Sequence, residues 1–181
     1  MPTDKIHIEI NNTTKSDLPD ILWLFDQAMS LQGKNGYKVW NNIDEIALER
    51  DIENKLQYKI AGGNEILCIF SIQYSDPLIW RDRDNHDAIY LHRIVVHPHH
   101  KGNKLFEKVL SWIKAFAIKK KLKFIRMDTW AENEQLVKYY KSFGFEFIEN
   151  YTTSNASELP SQNRNLNVAL LEMKLNCDGN R

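Results

Sequence analysis

Residues 90–116, YLHRIVVHPHHKGNKLFEKVLSWIKAF, limit what this chain can fold into more than any other stretch. An apolar, β-branched run ends at Pro98. A basic turn with one glycine follows, and a helix begins near Lys104 with Leu105, Val109, Trp112, Ile113 and Phe116 on one face. A turn between a buried strand and a helix presents unpaired N–H groups at the positive end of the helix dipole, which is a place for a phosphate. Lys101 adds a charge, and Gly102 lets the main chain approach closely. The turn is neither a P-loop, which closes on Gly-Lys-Ser/Thr, nor a dinucleotide fingerprint.

The rest of the chain builds around that unit. KIHIEINNTT alternates as a strand, and a helical stripe of Leu18, Ile21, Leu22, Phe25 and Met29 follows, capped by Ser16 or Asp17. NIDEIALERDIENKL reads as a second helix, and the stretch around Gly62-Gly63 as a hairpin. PLIWRDRDNHD reads as a polar loop, FIRMDTW as a strand, NEQLVKYYKSF as a helix stopped by Gly144, and FEFIENYTT and NVALLEMKL as strands. The order β-α-α-β-β-β-α-β-α-β-β predicts a mixed α/β sheet in one domain over 1–181. Parallel pairing is expected in the βαβ units of the second half.

Composition excludes several functions. Lys+Arg and Asp+Glu are both 24, so the formal charge of zero gives no pull toward nucleic acid or an anionic membrane. The five tryptophans are too scattered for a base-stacking platform. Cys68 and Cys177 make no disulfide framework and no metal spacing, and Cys68 reads as a small buried hydrophobe. No leader-like or membrane-length apolar run is present, so a cytoplasmic protein is expected. His97, His99 and His100 share one turn without carboxylates at ligand spacing, so no metal is expected.

A second block, AENEQLVKYYKSFGF, pairs an Asn with a helix and a Gly-Phe stop. Together with VVHPHHKGNKLF it resembles the GNAT superfamily of acetyl-CoA-dependent N-acetyltransferases over about residues 88–150. The resemblance implies one GNAT-like domain with a mixed, largely antiparallel central sheet and flanking helices. It implies acetyl-CoA as co-substrate, and a homodimer is a family expectation. It places the pantetheine arm on the main chain of Ile94, Val95 and Val96, with the Val96 N–H stabilising the oxyanion. The amides of Lys101, Gly102, Asn103, Lys104, Leu105 and Phe106 would hold the pyrophosphate, and Asn133 would contact the cofactor. The family usually has small residues at the positions of Lys104 and Phe106. Lys104 serves if its backbone stays helical, and Phe106 has to point into the core.

Acetyl transfer to an amine needs the thioester held near the amine, a proton removed, an oxyanion stabilised and the thiolate protonated. Tyr140 stands at the family's general-acid position, four residues before Gly144, and a phenol stays protonated at neutral pH. The competing reading is an aromatic packed on its helix face. His92 is the candidate base, on a face shared by alternation with Tyr90, Ile94 and Val96. A histidine held by a structural hydrogen bond is the competing reading, and Asp128 and Glu132 are alternative bases. Trp40, Trp80 and Trp130 are candidates to line a substrate cleft, and Asp44, Glu45 and Glu158 to receive a cationic amine.

The first functional reading is therefore transfer of an acetyl group to a primary amine of a small molecule. A second is a weak or inactive acyl-CoA-binding regulatory module of the same fold. A third, nucleotide or phosphate binding by another α/β fold, needs no thioester recognition.

Overall fold

A computed structural model of the chain describes residues 8–36, 40 and 42–176. The start of the first expected strand and Cys177 lie outside the described residues. Seven strands follow the order β1-β2-β3-β4-β5-β7-β6. They are β1 (Ile8–Asn12), β2 (Gln57–Gly62), β3 (Glu65–Gln73), β4 (Ala88–Val96), β5 (Phe124–Trp130), β6 (Glu146–Thr152) and β7 (Asn167–Lys174). The helices are α1 (Leu18–Lys34), α2 (Glu45–Glu53), α3 (Pro77–Trp80), α4 (Leu105–Lys119) and α5 (Glu134–Ser142). None is long and apolar enough to cross a membrane among the described residues.

The chain divides into two compact units, and the divisions fall inside β3, β4 and α4. In the first, β1 pairs antiparallel with β2, and β2 with β3 across the Gly62-Gly63 turn, where Gly63 takes φ 62°. Ile21, Leu24 and Phe25 of α1 are buried, as are Ile60, Cys68 and Phe70 of the hairpin. Burial pushes the Cys68 thiol up to about 12, which keeps it protonated and inert. Asp17 does not cap α1 with its side chain. Its carboxylate accepts from the Thr14 N–H and pairs with Lys59 at 2.6 Å.

In the second unit β4 and β5 run parallel, through Ala88, Ile89 and Tyr90 paired with Phe124, Ile125 and Arg126. The expected parallel pairing of the last βαβ unit is absent, because β7 inserts between β5 and β6 and pairs antiparallel with both. The expected polar loop before β4 holds α3. Its Ile79 and Trp80 are buried with Ala88, Tyr90, Leu159, Val168 and Leu170. Pro77 at the first helical position explains this turn of helix, since its fixed φ and missing N–H suit that place.

Candidate active site

The turn after β4 is built from exposed residues followed by buried ones. Lys101, Gly102, Asn103 and Lys104 are exposed, and Leu105 and Phe106 are buried at the start of α4. Gly102 takes φ 83° and Lys104 φ 55°, with Asn103 between them outside the left-handed region. Such alternation suits an anion-binding concavity, although the Asn103 N–H already donates to the His100 carbonyl at 3.3 Å. A Cβ built on Gly102 meets nothing within 4 Å, so the space above the turn is open. Lys104 is thus left-handed rather than helical, and that backbone is the reason a glycine suits its position. Phe106 is 4% exposed, so its ring lies inward and away from the turn.

Before the turn, β4 is kinked. Arg93 takes φ 51° in mid-strand, a strained conformation for a residue with a Cβ. Its Nε donates to Ser71 Oγ at 3.1 Å, and its guanidinium pairs with Asp51 of α2. The kink interrupts the pleat, so alternation orders Ala88, Tyr90 and His92 on one face but does not extend to Ile94 and Val96. Of the three residues expected to present main chain, Val95 is buried and Ile94 and Val96 are half-buried.

His92 lies between two carboxylates. Its Nε2 is 3.4 Å from Asp76 Oδ2, and its Nδ1 is 3.4 Å from Asp128 Oδ1. Burial alone would lower the imidazole, but Asp128 and Asp76 outweigh it and raise His92 to about 10. Burial in turn raises Asp76. Sequence reasoning missed Asp76. The available signal was an Asp just before a proline at a helix start, which normally caps. Here its side chain makes no cap hydrogen bond, and the carboxylate faces His92 instead. The Asp76 N–H donates to Asp84 Oδ2 at 3.0 Å, and Tyr90 Oη donates to the other oxygen of Asp84 at 2.7 Å.

A second cluster forms beside the basic turn. His97 Nε2 is 3.4 Å from Glu65 Oε1, and His100 Nε2 is 2.9 Å from Glu65 Oε2. The carboxylate that spacing failed to supply comes from the far end of the hairpin. Burial lowers His97, and His100 and His99 add to this against the attraction of Glu65. The hydrogen bond from His100 holds Glu65 low.

Each cluster brings three ligand atoms within 4.8 Å of one another. The donor chemistry favours protons over a metal in both. His92 has a carboxylate on each ring nitrogen, which suits an imidazolium with two N–H donors. His97 Nδ1 accepts the His99 N–H at 3.2 Å, which leaves the ring proton on Nε2, facing Glu65. A metal-bound histidine would instead donate from its other nitrogen.

Tyr140 on α5 is 8% exposed, with its ring at 5.4 Å from Tyr139 and 6.4 Å from Phe145. Tyr139 is the packed aromatic on the helix surface, edge-on to Phe143 at 5.0 Å. Asn133 caps α5, with Oδ1 accepting the Leu136 N–H at 3.0 Å. Trp80 is wholly buried, whereas Trp40 and Trp130 face one another with ring centroids 6.4 Å apart. Asp44 is tied to the Ser161 N–H, and Glu158 to Ser157 at 3.0 Å. Glu132 accepts from Asn167 at 3.4 Å.

Comparison with known proteins agrees with this architecture. Residues 68–145 match the Acetyltransferase (GNAT) family. Over 73 residues the chain is 32% identical to the uncharacterized N-acetyltransferase YesJ of Bacillus subtilis, a match that takes in 40% of this chain and 41% of YesJ. A GNAT family acetyltransferase from Listeria monocytogenes shares the fold with a TM-score of 0.75 at 20% identity, over 97% of this chain and 99% of that one. A putative acetyltransferase from Salmonella typhimurium, solved with its cofactor acetyl-CoA, gives 0.63 at 17% identity over 93% and 94% of the two chains. The chain shares its fold with these two solved acetyltransferases. Within that fold, residues 68–145 carry the similarity to the GNAT family.

Proposed function

We propose that this protein transfers the acetyl group of acetyl-CoA directly to a primary amine of a small molecule. One observation carries the reading: alternating φ at Gly102, Asn103 and Lys104 opens the turn while Phe106 is turned inward. A crowded turn was the main support for a binding module without turnover, and an inward Phe106 takes that support away.

In this reading the amides of Lys101–Phe106 other than that of Asn103, which donates to the His100 carbonyl, and the dipole of α4 hold the diphosphate of the co-substrate. The main chain of Ile94, Val95 and Val96 aligns the thioester arm, and the Val96 N–H receives the oxyanion. Asn133, already committed through Oδ1 to its helix, offers its Nδ2 amide to the arm. The ammonium gives its proton to the Asp76–His92–Asp128 row. His92 is already protonated at neutral pH, so the proton goes to a carboxylate, and Asp76, raised by burial, is the better matched. The amine nitrogen then bonds to the thioester carbon, the C–S bond breaks, and Tyr140 donates its phenolic proton to the departing thiolate.

The test is thiol release across a panel of primary amines, with Tyr140→Phe alongside wild type. The variant is expected to lose about 10²-fold or more in kcat with KM for acetyl-CoA held. Wild-type turnover in Tyr140→Phe removes that residue's role, and acetyl-CoA binding without turnover on any amine returns the protein to the regulatory class.

A further inference from the structure

The β5 face beside His92 is graded. Arg126, Asp128 and Trp130 alternate onto one side of the strand at about 6.6 Å steps. Arg126 is already engaged. Its Nε donates to Glu172 at 2.7 Å, and its guanidinium lies over the rings of Phe124 and Trp80 at 4.9 and 5.0 Å. Asp128 belongs to the row with Asp76 and His92. Trp130 faces Trp40 with the two planes tilted by 48°. Along the strand, this face therefore runs from a paired cation to an anion to an aromatic ring.

The row carries one net negative charge, from two carboxylates and one imidazolium. Asp76 Oδ2 and Asp128 Oδ1 are buried, and each faces a His92 ring nitrogen at 3.4 Å. A 3.4 Å separation is longer than an ordinary N–H···O bond. One ammonium adds shorter donors to these carboxylates and supplies the balancing charge. The next position on the strand, about 6.6 Å away, is an aromatic pair rather than a second carboxylate. The position on the other side is Arg126, already paired with Glu172, and it offers a second ammonium no carboxylate on that face.

We infer that the acceptor is an arylalkylamine: a primary ammonium joined by a short alkyl linker to an aromatic ring. Its ammonium sits at Asp128 and its ring packs against Trp40 and Trp130, where aromatic contacts add to area burial. The inference rests on the acetyltransferase reading above and names the substrate class of that site. A tryptophan face also attracts a cation, so the decisive competitor is a linear diamine of similar length.

Thiol release from acetyl-CoA is measured with 2-phenylethylamine, 1,4-diaminobutane and methylamine. The expected kcat/KM for 2-phenylethylamine exceeds that for 1,4-diaminobutane by about tenfold or more. Trp40→Ala lowers it by about tenfold, through KM, and lowers methylamine turnover by a smaller factor. Trp130→Phe keeps a ring in place and retains most of the preference, which separates ring contact from damage to the fold. Preference for the diamine, or equal losses toward all three amines in Trp40→Ala, overturns the inference and leaves the acetyltransferase reading standing. If no amine turns over, that reading fails by itself. Calorimetric titration of 2-phenylethylamine then decides the inference: binding weakened by Asp128→Asn supports it, and no binding, or equal binding to both proteins, overturns it.

Discussion

Two clusters of the same residue types behave in opposite ways. Glu65, His97 and His100 put one carboxylate between two imidazoles, and Asp76, His92 and Asp128 put one imidazole between two carboxylates. His97 is the more buried of the two histidines by surface, yet it is only lowered, while His92 is raised to about 10. Burial lowers both, so the count of carboxylates around each ring decides the outcome. One cluster is a tether with a shared counter-charge. The other stores a proton beside two acids.

The largest expected effect comes from upsetting the two-to-one ratio at His92. Asp128→Asn removes one of its carboxylates, and His92 then falls back toward its ordinary value of 6.5. With the carboxylate that seats the ammonium beside Asp76 removed, kcat/KM for the amine is expected to fall about 10²-fold while KM for acetyl-CoA holds. Histidine NMR titration and steady-state kinetics check the two halves together. A normal His92 with undiminished turnover would separate the raised histidine from the chemistry.

Stability against pH sharpens the contrast next. His92 binds its proton more tightly folded than unfolded, so its stabilisation is complete below pH 6.5 and is lost as pH rises from there through about 10. His97 is lowered, so the unfolded chain binds its proton more tightly, and acidification through 6.5 and below costs stability. Chemical denaturation at stepped pH should show wild type losing stability between pH 7 and 10, and His92→Gln losing less over that interval. Parallel curves would mean that the row is not charged as described.

A smaller effect is expected at the turn between these clusters in sequence. Lys104 holds φ 55° with a Cβ, at a cost of about 1 kcal/mol. Lys104→Gly relieves this strain but frees the unfolded chain, so a net gain of about 0.5 kcal/mol is expected, read as a shift in denaturation midpoint. A loss of stability would mean that the side chain, not the backbone, holds the turn.

The local rules made much of this legible. The strand–turn–helix around Gly102, the hairpin at Gly62-Gly63 and the helix before Gly144 follow from short-range pattern and turn chemistry, and each appears in the fold. Pairing of distant segments did not follow. Nothing in residues 167–174 says that β7 will insert between β5 and β6, because strand order is decided by packing across the sheet. The same limit hid one member of each three-residue cluster. His92 and Asp128 were visible as candidates, but Asp76 reaches them from a loop 16 residues before His92, and Glu65 reaches His97 from 32 residues away. Arg93 hid for another reason: a left-handed arginine in a strand is set by Asp51 and Ser71, and no strand propensity announces it.

The smallest effect belongs to the tether. Glu65 is half-exposed, so its contacts with His97 and His100 are screened and weak. Glu65→Gln removes the one negative charge in that cluster, which releases the turn at Pro98–His100 from the hairpin. KM for acetyl-CoA is expected to rise by about threefold with kcat unchanged, a factor in keeping with an exposed pair. Glu65 is also what holds His97 up against burial and its charged neighbours, so His97 should titrate still lower in the variant. His92 should titrate as in wild type, because its own two carboxylates are untouched. An unchanged KM would show that the turn keeps its shape without the tether, and a fall in kcat would tie the clusters into one functional unit, against the contrast drawn between them.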